Sequence, residues 1–230
     1  MAVGRIPGGG VGRNPFGVEW VSGENRVNET LDAAQDPLFG RRRPDLLEPD
    51  PESASLLARL HLYRRRLARL AGDAESDYDL TLARGTIAMI DAQGLIYIGR
   101  EFLLAYADAL DVQVGVIAHE IGHRPRRWQA YRSGRKLTPS ELHDLCRLEE
   151  TRADYFAGYA LGHLRMDCQP LCAFLEAVED GPHPEYFPAA LRAQTIREAY
   201  AAGQRRLANV KKFFPEFARQ ASAFGDFGTL

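Results

Sequence analysis

The segment 111–124, DVQVGVIAHEIGHR, constrains the fold of this chain more than any other stretch. It carries His119 and His123 on either side of Glu120, in the pattern H-E-x-x-H. On a helix, residues four apart lie on one face, so both imidazoles can bind one metal ion. Glu120 then lies about 100° round the helix from His119, beside the ion, where it can take a proton from a water held there. The pattern predicts two metal ligands and a general base.

This interpretation requires a helix, although the valines that alternate from 112 to 116 are typical of a strand. Against a strand, Val114, Ile117 and Ile121 form an apolar stripe with helical spacing. Pro125 follows the motif and predicts that the helix ends at about Arg124. In a strand, the two histidines would lie roughly 13 Å apart, too far for one ion. We therefore predict a helix.

A second helix is predicted from the capping box at 138–141, with proline at the first helical position, to about Met166. One stripe of this helix contains His143, Arg147, Glu150, Asp154 and Ala157. Carboxylates that face inward need a partner, and a metal ion would supply one. Glu150 is therefore the predicted third ligand, and Asp154 is predicted to orient a ligating histidine. Two alternatives stay open: His143 as the third ligand, about 10 Å from Glu150 along the axis, and a solvated charged face.

The remaining pattern predicts an α+β fold that is mostly helical. Asp50-Pro51 begins a helix that ends near Gly72. Residues 77–98 alternate with a period of two and contain a turn at 91–94, which predicts a small antiparallel sheet of about three strands next to the H-E-x-x-H helix. Short helices are expected at 102–110 and at about 188–203, followed by a last amphipathic segment.

Two regions differ in composition. Residues 1–50 are rich in glycine, proline and arginine and lack periodicity, so they predict an extended arm. Residues 51–230 then form one domain, since a chain of this length can bury one good core. The arm has three open interpretations: a flexible tail, a segment that wraps the surface, or an inhibitory segment over the active-site cleft.

Composition also excludes several classes of protein. A formal net charge of −2 argues against a dedicated nucleic-acid binder. No run approaches the ~18 apolar residues of a membrane span, and the N-terminus lacks the apolar core of a secretion signal. Cys146, Cys168 and Cys172 are an odd number and predict buried, reduced thiols, although the last two are spaced so that they could also bind metal. We expect a cytoplasmic protein, with export by a signal-less route as an alternative.

Two motifs in order resemble a known family. HEIGH at 119–123 follows a strand-turn-strand that ends in IYIGREFL, and Glu150-Thr151-Arg152-Ala153-Asp154 follows on a later helix. This resembles the gluzincin peptidases of the HtpX and CAAX-prenyl-endopeptidase type, which carry H-E-x-x-H and then E-x-x-A-D. The resemblance spans about 77–192. It implies a zincin-like catalytic domain with one zinc ion bound by His119, His123 and Glu150, with Glu120 as base and Asp154 in support.

The resemblance implies further roles. The strand Leu95 to Ile98 resembles the edge strand that pairs with an extended substrate. A late His-Pro followed by arginine, typical of the family, is matched more loosely by His183-Pro184 and Arg192, which would steady the oxyanion. The predicted function is a soluble zinc-dependent endopeptidase, a hydrolase that acts on protein or peptide substrates. The alternative is a zinc-stabilised binding or regulatory module with a latent or blocked peptidase site; cleavage preference and oligomeric state stay open.

Overall fold

The computed structural model describes residues 12–13, 19–20, 43–124, 138–179, 181 and 183–213. Most of the arm predicted for 1–50, and the basic segment 125–137, lie outside the described residues. Within the described part, helices predominate and a small mixed sheet is present. The α+β fold class predicted from the sequence is confirmed at this level.

The strands form two sheets. In chain order they are β1 (Gly12–Arg13), β2 (Glu19–Trp20), β3 (Asp45–Leu46), β4 (Asp79–Arg84), β5 (Ala88–Ile90) and β6 (Leu95–Gly99). The first two pair with each other, and the others form a sheet in the order β3-β4-β6-β5. β6 runs antiparallel to β5 but parallel to β4. The prediction of an antiparallel sheet of about three strands is therefore wrong: the sheet has four strands and is mixed.

The order of the strands follows from burial. Ile96, Tyr97 and Ile98 of β6 are all buried, and a continuous apolar run belongs at the centre of a sheet, covered on both faces. The connection from β4 to β5 crosses the end of β6, where Gly99 N donates to Ile87 O at 2.8 Å. A Cβ on Gly99 would lie 1.7 Å from Thr86 O, so this crossing requires glycine. The expectation that Leu95 to Ile98 is an edge strand is therefore wrong, and β5 is the edge.

Six helices are described. They are α1 (Pro51–Ala71), α2 (Arg100–Ala105), α3 (Leu110–Gly122), α4 (Pro139–Leu164), α5 (Gln169–Val178) and α6 (Ala189–Phe213). The caps predicted for α1 and α4 are confirmed: the Asp50 carboxylate accepts from Ser53 N at 2.9 Å, and Thr138 forms a capping box with Glu141. An N-cap at Asp111, also suggested by the sequence, is wrong, because α3 has Ala109 at its N-cap. Two predicted boundaries are wrong, since α2 ends at Ala105 and α6 continues past Gly203.

The predicted metal helix, α3, lies at the centre of the fold. Every residue from Val112 to Gly122 is buried except His119, which is half-buried. The sheet and α1 cover one side of α3, and α4 covers the other. Burial on all sides outweighs the strand preference of the valines, because tertiary context overrides weak local propensity. The helix ends before Arg124, which adopts a positive φ of 47° directly before Pro125.

Glycines let three helices approach closely. A Cβ on Gly122 of α3 would lie 2.7 Å from Ala153 Cα of α4. Gly158 of α4 lies against Ile196 of α6, and Gly162 lies against Tyr200, so these two helices run in the same direction. Side chains from α3, α4 and α6 therefore reach one another across short distances.

The structure also bears on the predictions about membrane spans and cysteines. None of the helices in the described part of the chain is long and apolar enough to cross a membrane. Cys146, Cys168 and Cys172 are buried free thiols. The expectation of buried, reduced cysteines is therefore confirmed.

Candidate metal centre

The three predicted ligands converge. His119 and His123 come from the C-terminal end of α3, and Glu150 comes from the middle of α4. One ligand atom from each residue lies within 4.8 Å of the others. His119 Nε2 is 3.2 Å from Glu150 Oε2, and His123 Nε2 is 3.7 Å from Glu150 Oε1. The two imidazole rings are perpendicular to each other. The Nε2 atom of each ring faces the Glu150 carboxylate.

The chemistry of these atoms fits a metal ion. Glu150 is 4% exposed, and among the described residues its Oε2 makes no well-directed hydrogen bond. Burying a carboxylate oxygen without a donor is costly, and a divalent cation would satisfy it. Two imidazole nitrogens and one carboxylate form a donor set that zinc accepts. His143, the rival third ligand, is not in this group.

Asp154 contacts His119, one of the predicted ligands. Its Oδ1 lies 3.0 Å from His119 Nδ1, and its side chain is almost fully buried. A carboxylate at Nδ1 keeps the proton on that nitrogen and leaves the Nε2 lone pair for a metal. Asp154, on the same helix as Glu150, is therefore placed to fix the tautomer of His119 once Nε2 binds a metal. Without a metal, burial opposes protonation of His119, but the hydrogen bonds to Asp154 and Glu150 outweigh it and raise the pKa of His119 to about 10.

Arg192 of α6 holds Asp154 in place. Its Nε donates to Asp154 Oδ2 at 2.8 Å, and its Nη2 donates to Asp154 Oδ1 at 2.9 Å. Burial opposes ionisation of Asp154, but the charge of Arg192 and the hydrogen bond with His119 outweigh it and lower the pKa of Asp154 to about 2. The structure thus joins Arg192 to the predicted site, through a contact that sequence reasoning did not include.

Glu120 lies beside the ligands and is 8% exposed. Burial raises the pKa of Glu120 to about 7, and the charge of Glu150 adds to this effect, while His119 and the backbone N–H of Ile90 oppose it. A carboxyl group that titrates near neutral pH can both accept and return a proton. The environment of Glu120 therefore suits the predicted general base.

The edge strand β5 runs next to Glu120. Asp91 N donates to Leu95 O, and Gly99 N donates to Ile87 O. Since hydrogen-bonded and non-hydrogen-bonded pairs alternate along an antiparallel ladder, the backbone groups of Ala88 and Ile90 point away from β6. Ile90 uses its N–H to contact Glu120. Among the described residues, this edge of the sheet therefore borders the candidate site.

His183 lies in the connection between α5 and α6, outside the metal group. Its Nδ1 accepts a hydrogen bond from Glu185 N at 3.3 Å, and its ring lies 5.0 Å from that of Tyr186. Burial lowers the pKa of His183, which favours the neutral ring. The Arg147 guanidinium donates to Pro184 O and fixes this connection on α4.

Sequence reasoning did not single out Tyr186 or Glu185. Both follow directly after His183-Pro184, and this proximity was the only available signal. Comparisons with protein-family models, curated proteins and solved structures give no match for the chain. We therefore infer function from the geometry of this site and from the chemistry of its residues.

Proposed function

We propose that the protein is a zinc-dependent endopeptidase with a zincin-like catalytic domain. The observation that carries this proposal is the convergence of His119, His123 and Glu150 within 4.8 Å of one another, beside a buried glutamate. Structural zinc sites use four protein ligands, whereas three leave a position for water and substrate. The described residues offer three, and a purely structural site would have no use for Glu120.

A zinc ion held there would supply a water of lowered pKa and would polarise the carbonyl of the peptide bond. Glu120 would accept a proton from the attacking water and return it to the leaving nitrogen. Asp154 would hold the proton on Nδ1 of His119 and leave Nε2 free to bind the ion. The burial of Glu120 and the contact between Asp154 and His119 support these two roles.

Arg192 and His183 have different roles in this proposal. Two nitrogens of Arg192 are engaged by Asp154, so Arg192 acts as a positioning residue. His183 accepts at Nδ1, which leaves its Nε2–H as the donor that would steady the oxyanion. An extended substrate would add to β5 as a further strand through the outward N–H of Ala88 and the outward C=O of Ile90. The other two outward groups are engaged, because Ala88 O accepts from Thr86 Oγ1 and the Ile90 N–H donates to Glu120.

The test is to incubate zinc-loaded wild type and Glu120→Gln with unfolded casein and a cell lysate. New N-termini are read by mass spectrometry, and bound zinc is measured in each sample. We expect cleavage by wild type and a loss on the order of 10²-fold or more in Glu120→Gln, with zinc retained. Glu176→Gln, an exposed change on α5, is the matched control. Hydrolysis that survives Glu120→Gln would contradict the mechanism.

One observation favours the alternative of a zinc-stabilised binding or regulatory module. Arg192 Nη2 lies 3.5 Å from Glu150 Oε2, where it competes with a cation for that oxygen. A chain that lacks residues 1–42, with β3 and Asp50 retained, separates the possibilities. Cleavage that begins only after this truncation makes the arm inhibitory. Zinc binding without cleavage by either form supports the module.

A further inference from the structure

Glu185 is a buried carboxylate that the proposed mechanism does not use. It lies between α5 and α6, and its side chain is 8% exposed. Among the described residues, the basic group closest to Glu185 is His183, whose Nδ1 lies 4.0 Å from Glu185 Oε2. That nitrogen accepts the backbone N–H of Glu185, so it has no proton to donate. Among the described residues, the Glu185 carboxylate therefore has neither a hydrogen-bond donor nor a cation.

The position of Glu185 places it beside the metal centre. Its neighbour Pro184 accepts from Arg147, which precedes Glu150 by about one turn on α4. Its other neighbour, Tyr186, has the Arg192 guanidinium 5.2 Å from its ring centre. Arg192 in turn contacts Glu150. Both neighbours of Glu185 are thus fixed close to the third metal ligand.

The other buried acids of the described chain differ from Glu185. Asp154 pairs with Arg192 and His119, Glu149 pairs with Arg152, and Asp91 pairs with Arg43. Glu120 accepts from Ile90, and Glu150 faces the two histidines. The Glu185 oxygens are not among the enclosed unpaired atoms of the described residues, so they reach solvent although most of the side chain is buried. A cation that arrives from solvent can therefore pair with this carboxylate.

The nature of that cation follows from the surroundings. Glu185 is not a member of the metal-donor group found among the described residues, which argues against a second metal ion. Its loop is open to solvent, since the His183 side chain is 32% exposed and Phe187 is 42% exposed. An organic cation on the substrate can therefore approach the carboxylate from this side.

We infer that Glu185 binds a positively charged group of the substrate, an ammonium or a guanidinium, and so determines specificity. The inference rests on the proposed peptidase function. It means that peptides with a basic side chain or a free amino terminus at a fixed distance from the scissile bond bind preferentially. The carboxylate forms a charge-assisted hydrogen bond with that group.

The test uses zinc-loaded, full-length Glu120→Gln, which binds substrate without cleaving it. Labelled peptides differ only in lysine or norleucine at one position near the scissile bond, or in a free or acetylated N-terminus. Fluorescence anisotropy gives the Kd of each. We expect one charged peptide to bind roughly tenfold or more tightly than its neutral counterpart. The position of lysine, or the free terminus, identifies the source of the charge.

A second change removes the carboxylate. In Glu120→Gln/Glu185→Gln the preference should disappear, whereas Glu120→Gln/Glu185→Asp should retain part of it because the charge remains. Glu120→Gln/Glu176→Gln carries the same change at an exposed site and should keep the full preference. Thermal unfolding of each variant establishes that it is folded. Equal Kd values for charged and neutral peptides, or a preference that survives Glu185→Gln, would overturn the inference.

Hydrolysis by wild type separates the two proposals. Charge-dependent binding without hydrolysis would remove the peptidase proposal and keep the role of Glu185 as a receptor for a cation. Hydrolysis without charge preference would keep the peptidase and remove that role. Failure of every peptide to bind would count against both.

Discussion

Asp154 connects His119, a candidate metal ligand, to the buried Arg192, so one carboxylate contacts both residues. Its Oδ1 faces His119 Nδ1, and both of its oxygens accept from Arg192. The arginine belongs to α6, whereas the ligands belong to α3 and α4. The orientation of His119 therefore depends on three helices.

Replacing Asp154 by asparagine should weaken metal binding. The amide keeps the size of the side chain but removes the charge that fixes the His119 tautomer and pairs with Arg192. We expect the Kd for zinc to rise roughly 10- to 100-fold, measured by competition with a chromophoric chelator. Asp108→Asn, an exposed change between α2 and α3, should leave the Kd unchanged. Equal zinc affinity in both variants would mean that Asp154 does not orient the ligand.

Glu185 should make folding stability depend on pH. Burial, followed by the charge of Glu150, raises the pKa of Glu185 from 4.5 to about 7. The native state then binds the Glu185 proton more tightly than the unfolded state does. The stability that this proton contributes is complete below pH 4.5 and is lost as the pH rises through about 7. In EDTA-treated protein, Glu185→Gln should exceed wild type by roughly 1 to 2 kcal/mol at pH 8, and by little at pH 5. Urea unfolding at both pH values measures this, and a difference that is constant with pH would contradict it.

The site residues differ in whether the sequence alone can predict their position. His119 and His123 are spaced by one helical turn, and Glu150 and Asp154 by another, so helix periodicity alone places each pair on one face and Glu120 about 100° round from His119. The contact between Arg192 and Asp154 depends instead on how α4 packs against α6. No spacing along the chain carries that information.

At the scale of elements, close helix packing brings the ligands and their partners together. α4 crosses α3 at Gly122 and Ala153, and it runs beside α6 along Gly158 and Gly162. A Cβ on Gly158 would lie 2.2 Å from Ile196 O, which belongs to the backbone of α6. A side chain at position 158 would therefore push α4 and α6 apart. Because α6 carries Arg192, this would also move the partner of Asp154.

Gly158→Ala should therefore destabilise the protein. In an isolated helix this change stabilises by about 1 kcal/mol, because alanine is the better helix former. Here the new methyl group meets backbone that cannot rotate away, so we expect a loss of roughly 1 to 3 kcal/mol. Urea unfolding measures the sign directly. A stabilising effect would show that the two helices separate without cost.

The sheet shows that alternation along the sequence predicts strands but does not determine their order. Alternation and the turn at 91–94 predict the hairpin of β5 and β6, which is present. Alternation does not specify which strand lies next to which, and the parallel pairing of β4 with β6 was missed. The unbroken apolar run at 95–98 was the available signal for a central strand, since a strand covered on both faces needs no polar side.

At the scale of the whole molecule, a metal ion would join two parts of the chain that are distant in sequence. His119 and His123 end α3, and Glu150 lies on α4, after the segment 125–137. Neither set of ligands is assembled in the unfolded chain, so binding of an ion is coupled to folding. Affinity for the ion therefore adds directly to the stability of the folded state.

Removal of zinc should lower the unfolding temperature. An ion that binds only the folded state stabilises it by about 2.7 kcal/mol when its free concentration is 100 times the Kd. For a domain of this size, that corresponds to a fall in Tm of roughly 5 to 11 °C when EDTA replaces zinc. His119→Gln/His123→Gln lacks two of the three ligands, so EDTA should not change its Tm. The shift in wild type should grow with the logarithm of free zinc, because each tenfold increase adds the same free energy. A Tm that does not respond to zinc in wild type, or an equal response in the double variant, would place the ion elsewhere and contradict the assignment of His119, His123 and Glu150 as its ligands.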